Sequence, residues 1–317
     1  MPPRRVIGID TGGTKLLGGV VDDRLLVHHR VYRLWHGKER VDVLDTMVEA
    51  VAEARDEAPD AAAVGFGIPS LVDAATGASA SSVHLPLAGV PFRDLMSERL
   101  GLPVFVDNDA NVALLAEQRF GAAQGASHAV MLTIGTGIGG ALVLDGRLYR
   151  GATGAAGELG HMVVDLDGPP CQGSCPNRGC LEAVASGSAI GREGAEAAAR
   201  SPDSQLGRAA AGGRGITGAL VTELAHEGDE AAREAIRVVG WRLGVGIANI
   251  ANVFNPEVVV IGGGVIAAGE LLLEPARAAL AERALPPSRD LVRVVPARFG
   301  DEAGMLGAAL LALDALA

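Results

Sequence analysis

Three cysteines and one histidine stand close together in the sequence, and their side chains are of the types that bind zinc. Cys171, Cys175 and Cys180 are all the cysteines of a 317-residue chain, and His161 lies ten residues before the first of them. Three thiolates and one imidazole form a closed tetrahedral site that leaves no position for a reactive water. We therefore expect a structural Zn²⁺ bound by these four residues; ordinary buried thiols are the alternative.

Two glycine-rich segments share one design and are of a kind that binds phosphate. Residues 6–22 and 130–145 each read as an apolar strand, an Ile-x-Thr-Gly turn and a second apolar strand that closes on Asp. Backbone N–H groups of such turns favour anions. The repeat indicates that one half of the protein is a duplicate of the other. Each lobe would then carry one phosphate-binding loop, called a phosphate grip below, and the two loops would close on a nucleotide. The alternative is that both segments are only tight turns. The predicted phosphate-grip residues are Asp10, Gly12, Gly13, Thr14, Lys15, Thr136 and Gly137.

Asp10 and Lys15 flank the first of these loops and favour the phosphate interpretation. A carboxylate can hold the Mg²⁺ shell, and an ammonium group can meet phosphate oxygens. Two other phosphate motifs do not fit, the first because of its structural context and the second because of its spacing. Residues 135–140 match G-x-G-x-x-G, but that motif needs a helix at its third glycine, and 141–146 read as strand and turn. In the first loop Thr14 stands where a P-loop would have its lysine.

Six segments carry a family resemblance, and the match as a whole runs in order from about residue 6 to residue 309. They are IGIDTGGTK, VDNDANVALLAE, LTIGTGIGGALV, GELGHM, GPPCQGSCPNRGCLE and VVVIGGGV. Together they resemble the ROK family of sugar kinases and sugar-responsive repressors. The resemblance implies an α/β protein with a duplicated actin-like, ribonuclease-H-like fold in two lobes, with ATP and sugar in the cleft between them.

Strand and helix patterns alternate along the chain, which also favours the α/β class. A helix is expected at 229–252, stopped at Asn255-Pro256. We expect a small N-terminal lobe at 1–118, completed by the C-terminal helix 301–317, and a large lobe at 119–300 that carries the zinc-binding loop.

The resemblance also assigns roles to individual residues. Asp109 matches the catalytic base, and Asn108 beside it is expected to hydrogen-bond sugar hydroxyls; capping of the helix from about Asn111 is the alternative for this polar cluster. Glu158, His161 and Glu182 match residues that contact sugar hydroxyls. The segment expected to receive adenosine is Gly262, Gly263 and Gly264. The family commonly has Cys-x-Cys where this chain has Cys171-x₃-Cys175.

The implied function is transfer of the γ-phosphoryl group of ATP to the 6-hydroxyl of glucose, with Asp109 as general base. Glucose is favoured because all three sugar-contacting residues of the glucokinase-like members are present. GIPS at 67–70 and VHLPLAGVPF at 83–92 depart from the family pattern. N-acetylmannosamine, N-acetylglucosamine, fructose or allose as substrate, another nucleotide or polyphosphate as donor, and an inactive sugar sensor therefore stay open.

Composition and charge argue against several other classes of protein. The net charge is −11 and there is no long Lys/Arg run, so nucleic acid is an unlikely partner. Repressors of the family carry a helix-turn-helix domain before the first glycine-rich loop, whereas nine residues precede Asp10 here. The longest apolar stretch, 258–269, is too short to span a bilayer. We expect a cytoplasmic homodimer with no membrane partner and no disulfide framework.

Overall fold

The structure is a computed structural model that describes residues 4–13, 15–35, 39–82 and 85–317. Within these residues the strands are β1 (Arg5–Thr11), β2 (Lys15–Asp22), β3 (Val27–Leu34), β4 (Val64–Ile68), β5 (Ser70–Val72), β6 (Ser79–Ser82), β7 (Val104–Asn108), β8 (Ala129–Ile134), β9 (Ile138–Leu144), β10 (Arg147–Leu148), β11 (Val258–Gly262) and β12 (Arg293–Pro296). The helices are α1 (Arg40–Glu57), α2 (Phe92–Leu100), α3 (Asp109–Phe120), α4 (Leu181–Ala185), α5 (Gly187–Arg200), α6 (Gln205–Ala211), α7 (Gly218–His226), α8 (Glu230–Phe254), α9 (Glu270–Arg283), α10 (Ser288–Leu291) and α11 (Ala303–Ala315). Strands and helices alternate, which confirms the α/β class.

The chain divides into two compact units. The first comprises residues up to Gly125, Ala141–Gly157 and Arg298–Ala317, and the second comprises Ala126–Gly140 and Glu158–Ala297. The sequence predicted different bounds: a small lobe of 1–118 with 301–317, and a large lobe of 119–300. Their bounds stay a prediction.

One five-stranded sheet has the order β3-β2-β1-β4-β7. Strands β1, β4 and β7 are parallel to one another, while β2 and β3 form an antiparallel meander beside β1. Strand β4 is a continuous apolar run and is buried along its whole length, as expected for the centre of a covered sheet. The register pairs Asp10 with Gly67 and Gly67 with Asp107. The polar residues at the carboxyl ends of these strands therefore share one edge.

A second sheet has the order β10-β9-β8-β11-β12. Its central strand β11 is fully buried and pairs in parallel with β8 and β12. Helix α8 packs against α5, α7 and α9. Its start is capped by the Asp229 side chain, which accepts a hydrogen bond from Ala232 N, and it ends at Asn255 in the left-handed conformation. The expected helix and its stop are thus confirmed.

Both glycine-rich segments form hairpins, as the sequence predicted. Gly12 N donates to Lys15 O at 2.8 Å between β1 and β2, and Gly135 N donates to Gly137 O at 2.9 Å between β8 and β9. Strand β9 runs through residue 140, so no helix opens at the third glycine and the loop lacks the element that a dinucleotide-binding loop requires. Among the described residues, no helix has both the length and the apolar character needed to cross a membrane.

Candidate active site

Asp10 and Asp109 lie side by side at the carboxyl edge of the first sheet. Asp10 is the penultimate residue of β1, Asp109 opens α3 directly after β7, and Gly67 of β4 lies between them. A methyl group on Gly67 would lie 2.5 Å from Val112 Cγ2, as well as 3.3 Å from Asp10 Oδ1 and 3.6 Å from Asp109 Cα. The strand between the two carboxylates therefore needs a residue with no side chain at this position.

The charge around Asp10 is strongly negative. Burial by the surrounding protein, and then the charge of Asp109, raise the pKa of Asp10 to about 8, although Lys15 opposes the shift. Lys15 Nζ itself lies 3.0 Å from Asp301 Oδ2, which precedes α11. Crowded carboxylate oxygens are the ligands that Mg²⁺ prefers, so the site fits that ion. No local signal in the sequence pointed to Asp301, which is 286 positions from Lys15.

The polar cluster at the end of β7 has three side chains with different sets of hydrogen-bond partners: Asp107, Asn108 and Asp109. Asp107 is buried and accepts hydrogen bonds from Asn111 Nδ2 at 2.8 Å and Arg150 Nε at 2.7 Å. Asn108 is the N-cap of α3: its Oδ1 accepts from Ala110 N and Asn111 N, and its Nδ2 donates to Ser70 O at 3.3 Å. Asp109 is the first residue of α3, and its Oδ1 accepts a hydrogen bond from Ala110 N at 2.9 Å. The capping alternative is therefore realised by Asn108.

The first phosphate-grip loop is described except for Thr14, which lies outside the described residues. At the turn between β1 and β2, Gly12 is partly exposed and Gly13 is exposed. The indole Nε1 of Trp35 donates to Gly12 O at 3.0 Å and so fixes the orientation of that peptide. Trp35 is one of only two tryptophans in the chain, but its distance of 23 residues from the loop gave no signal of this contact.

The second unit brings His161, Cys171, Cys175 and Cys180 into one cluster, as predicted. Their ligand atoms all lie within 4.8 Å of one another. Cys171 Sγ lies 3.5 Å from His161 Nδ1, and Cys175 Sγ lies 3.9 Å from Cys180 Sγ. Tetrahedral zinc with Zn–S bonds of ~2.3 Å would separate two sulfurs by ~3.8 Å, so this donor set fits Zn²⁺. Despite the longer Cys-x₃-Cys spacing, Cys175 lies in the same cluster as the other three residues.

Glu158, His161 and Glu182 meet around the cysteine cluster. His161 Nε2 lies 3.6 Å from Glu158 Oε2, while its other nitrogen faces Cys171. Glu182 Oε1 lies 3.7 Å from Cys171 Sγ. Burial raises the pKa of Glu158, and the charge of Glu182 adds to that shift while His161 opposes it. The three side chains expected to contact sugar are thus neighbours in the second unit, whereas Asn108 and Asp109 belong to the first.

The glycine-rich loop between β8 and β9 borders a cavity of about 840 Å³ in the second unit. Thr136 of the loop, Gly264 after β11, and residues of α5 and α7 line it, among them Ser188, Thr217 and His226. A volume in this range accommodates a ligand the size of a nucleoside. The sequence did not predict the contribution of α5 and α7, because no local pattern of residues indicates that two separate helices form one cavity wall.

The three glycines at 262–264 have different environments. A methyl group on Gly262 would lie 2.7 Å from Met131 Cε, and one on Gly263, which has φ +81°, would meet the backbone of Ile134. Gly264 has no atom within 4 Å of that position and lines the cavity. Close packing therefore explains the first two glycines, and only Gly264 opens onto the space expected for adenosine.

Comparison with known proteins gives the context of these sites. A model of the ROK family matches residues 6–315. A glucokinase of Thermotoga maritima is 37% identical over 98% of this chain and 97% of its own length. A crystal structure of a ROK family glucokinase from Streptomyces griseus, in complex with glucose and AMPPNP, has a TM-score of 0.86 at 35% identity and covers 97% of this chain and 98% of that one.

A regulator is also among the relatives. A xylose repressor of Caldicellulosiruptor bescii is 30% identical over 95% of this chain, which spans 76% of the repressor. The similarity to the Streptomyces griseus structure confirms the duplicated actin-like, ribonuclease-H-like fold class. With the family model matched over nearly its whole length, this chain is a member of the ROK family.

Proposed function

We propose that this chain is an ATP-dependent glucokinase, a hexokinase-type transferase that moves the γ-phosphoryl group of ATP to the 6-hydroxyl of glucose. Support comes from glucokinase relatives that match it over nearly their full length. The observation that carries the proposal is the placement of Asp109 beside Asp10 at the carboxyl edge of the parallel strands, the edge at which ligands of open α/β sheets gather.

Asp109 is the general base of the proposed reaction. A sugar hydroxyl becomes an effective nucleophile when a carboxylate within hydrogen-bond reach accepts its proton. Asp109 lies in the first turn of α3, where its Oδ1 accepts a hydrogen bond from Ala110 N at 2.9 Å. Asn108 keeps the helix start fixed through its capping bonds, so its proposed contact with sugar would use the amide hydrogen that does not reach Ser70.

Asp10 is the residue that would hold Mg²⁺ through its shell. When bound, this ion supplies positive charge that offsets charge on the phosphates. Lys15, which is half-exposed beside Asp301, can turn from that carboxylate to a phosphate oxygen. The hairpin turn at Gly12 and Gly13 presents backbone N–H groups without obstructing side chains. These residues, with Thr14, form the proposed first phosphate grip.

Glu158, His161 and Glu182 form the proposed sugar-recognition set. With Nδ1 directed to a zinc ion, the Nε2–H of His161 is a fixed donor for a hydroxyl. The Glu158 carboxylate next to it can accept from a second hydroxyl. The bound zinc is structural because four protein ligands leave it no open position.

The cavity bordered by Thr136 and Gly264 is the proposed site of the adenosine moiety. Its volume of about 840 Å³ and its largely apolar lining by α5 and α7 suit a nucleoside. A polyphosphate donor has no apolar part to fill such a space, so the cavity favours a nucleotide. The homodimer and the cytoplasmic location stay predictions.

A sugar-sensing protein without catalysis is the second candidate, favoured by the similarity to xylose repressors. ADP release from Mg·ATP, measured with glucose, mannose, N-acetylmannosamine, N-acetylglucosamine, fructose and allose, separates the two. Strong turnover with glucose supports the glucokinase. Turnover with another sugar only would keep the mechanism and change the substrate, and sugar binding with no turnover for any donor would favour the sensor.

A further inference from the structure

The loop between β8 and β9 is fastened to the segment that carries the cysteine cluster. Gln172 Nε2 donates to Thr136 O at 3.1 Å, and Ser188 Oγ donates to the same oxygen at 2.9 Å. Ile138 N donates to Glu182 Oε2 at 2.8 Å. Three side chains from outside the loop thus bind its backbone, two of them at Thr136 O and one at Ile138 N.

Two of these three side chains are adjacent to proposed zinc ligands. Gln172 directly follows Cys171 and belongs to the spacer of three residues that replaces the family's usual single residue. Glu182 comes two positions after Cys180, and its second oxygen faces Cys171 Sγ. A shift of the cysteine loop would therefore move two of the three groups that hold the hairpin.

The contact with Thr136 O determines how the loop presents its N–H groups. In a trans peptide the carbonyl oxygen and the following N–H point in opposite directions. Two donors on Thr136 O therefore hold that oxygen on the side of the cysteine loop and direct the N–H of Gly137 to the other side. A carbonyl oxygen turned toward a phosphate would repel it, whereas an N–H group attracts it.

We propose that the cysteine loop is the anchor of the second phosphate grip, with Gln172 and Glu182 as positioning residues for the nucleotide. This inference rests on the proposed function, because it assumes that the hairpin meets ATP. In this account the zinc-bound cysteine loop supports the nucleotide site as well as the sugar site. A change in the cysteine loop that leaves glucose contacts intact weakens nucleotide binding.

Gln172→Met is the test variant, because methionine has a similar length and no N–H donor. Gln124→Met, at an exposed glutamine of the first unit, is the matched control. Zinc content, glucose affinity and the affinity for Mg·AMPPNP are measured by metal analysis and calorimetry. Amide hydrogen exchange of residues 135–140 is followed in both variants and in wild-type protein before and after zinc removal by a chelator.

Gln172→Met is expected to retain one zinc per chain and glucose affinity within about twofold, while binding Mg·AMPPNP roughly three- to tenfold more weakly, the effect of one lost hydrogen bond. Exchange in the loop should become faster in this variant and in zinc-depleted wild-type protein, and stay unchanged in Gln124→Met. Unchanged nucleotide affinity and loop exchange in Gln172→Met would overturn the inference. Wild-type protein that neither binds Mg·AMPPNP nor phosphorylates glucose would instead overturn the proposed function.

Discussion

Asp10 and Asp109 both adjoin Gly67 of β4, and the charge of Asp109 helps to raise the pKa of Asp10 to about 8. Two carboxylates so close together are costly unless a cation or a proton offsets their charge. In the proposed kinase, Mg²⁺ bound together with a nucleotide would offset that charge. The ligand-free protein is thus less stable because of the same two carboxylates whose charge the ligand would offset.

Asp10→Asn should therefore stabilise the protein in magnesium-free and nucleotide-free buffer in a pH-dependent way. The pKa of Asp10 is raised on folding, so the wild-type protein loses stability relative to the variant as pH rises from about 4 to about 8, and the difference is constant above that. Thermal unfolding of both proteins from pH 5 to pH 9 measures the difference. A gap that stays constant across this range would contradict the assignment.

Cys175→Ser should abolish tight zinc binding. One ligand of four is lost, and the loop between Cys171 and Cys180 loses the ion that orders it. Metal analysis should show close to one zinc per chain in the wild-type protein and far less in the variant, with a lower unfolding temperature and weaker glucose binding. Ser174→Ala, on the same loop, is the control and should keep the metal. Full zinc content in Cys175→Ser would rule out this ligand set.

Gly137→Ala should disturb the contact between the hairpin and Glu182. The added methyl group would lie 2.2 Å from Glu182 Oε2, so the carboxylate must move away and its bond to Ile138 N is lost. We expect a loss of roughly 1 kcal/mol in the free energy of unfolding, the size of one hydrogen bond. Gly135→Ala is the control because no atom lies within 4 Å of its added methyl group. Equal denaturation curves for the two variants would refute the close contact.

Arg150→Met should destabilise the first unit by removing the partner of buried Asp107. The guanidinium contacts Asp107 Oδ2 through both Nε and a terminal nitrogen, at 2.7 and 2.6 Å. Because Arg150 is about one-third exposed, the expected loss is about 1 to 3 kcal/mol, below that of a fully buried pair. Chemical denaturation measures it, with exposed Arg147→Met as control. Two indistinguishable variants would show that water replaces the arginine at no cost.

Local patterns in the sequence predicted the parts of the site that are built from neighbours. The cysteine cluster, the two hairpins and the long helix α8 follow from residue type and spacing within short segments. Contacts between distant residues had no such signal. Arg150 meets Asp107 across 43 positions. The function of Asn108 as a cap rather than an open amide was equally undetermined, because the same polar residue suits both roles.

The most direct test of the central claim is glucose-dependent ADP release from Mg·ATP by the zinc-loaded wild-type protein and by Asp109→Asn, with glucose affinity measured in parallel. Exposed Asp94→Asn is the control. The account predicts rapid turnover in the wild-type and control proteins, a loss of about 10² to 10⁴ in kcat for Asp109→Asn, and glucose binding that survives the substitution. Undiminished turnover in Asp109→Asn, or no glucose-dependent ADP release by the wild-type protein, would contradict it.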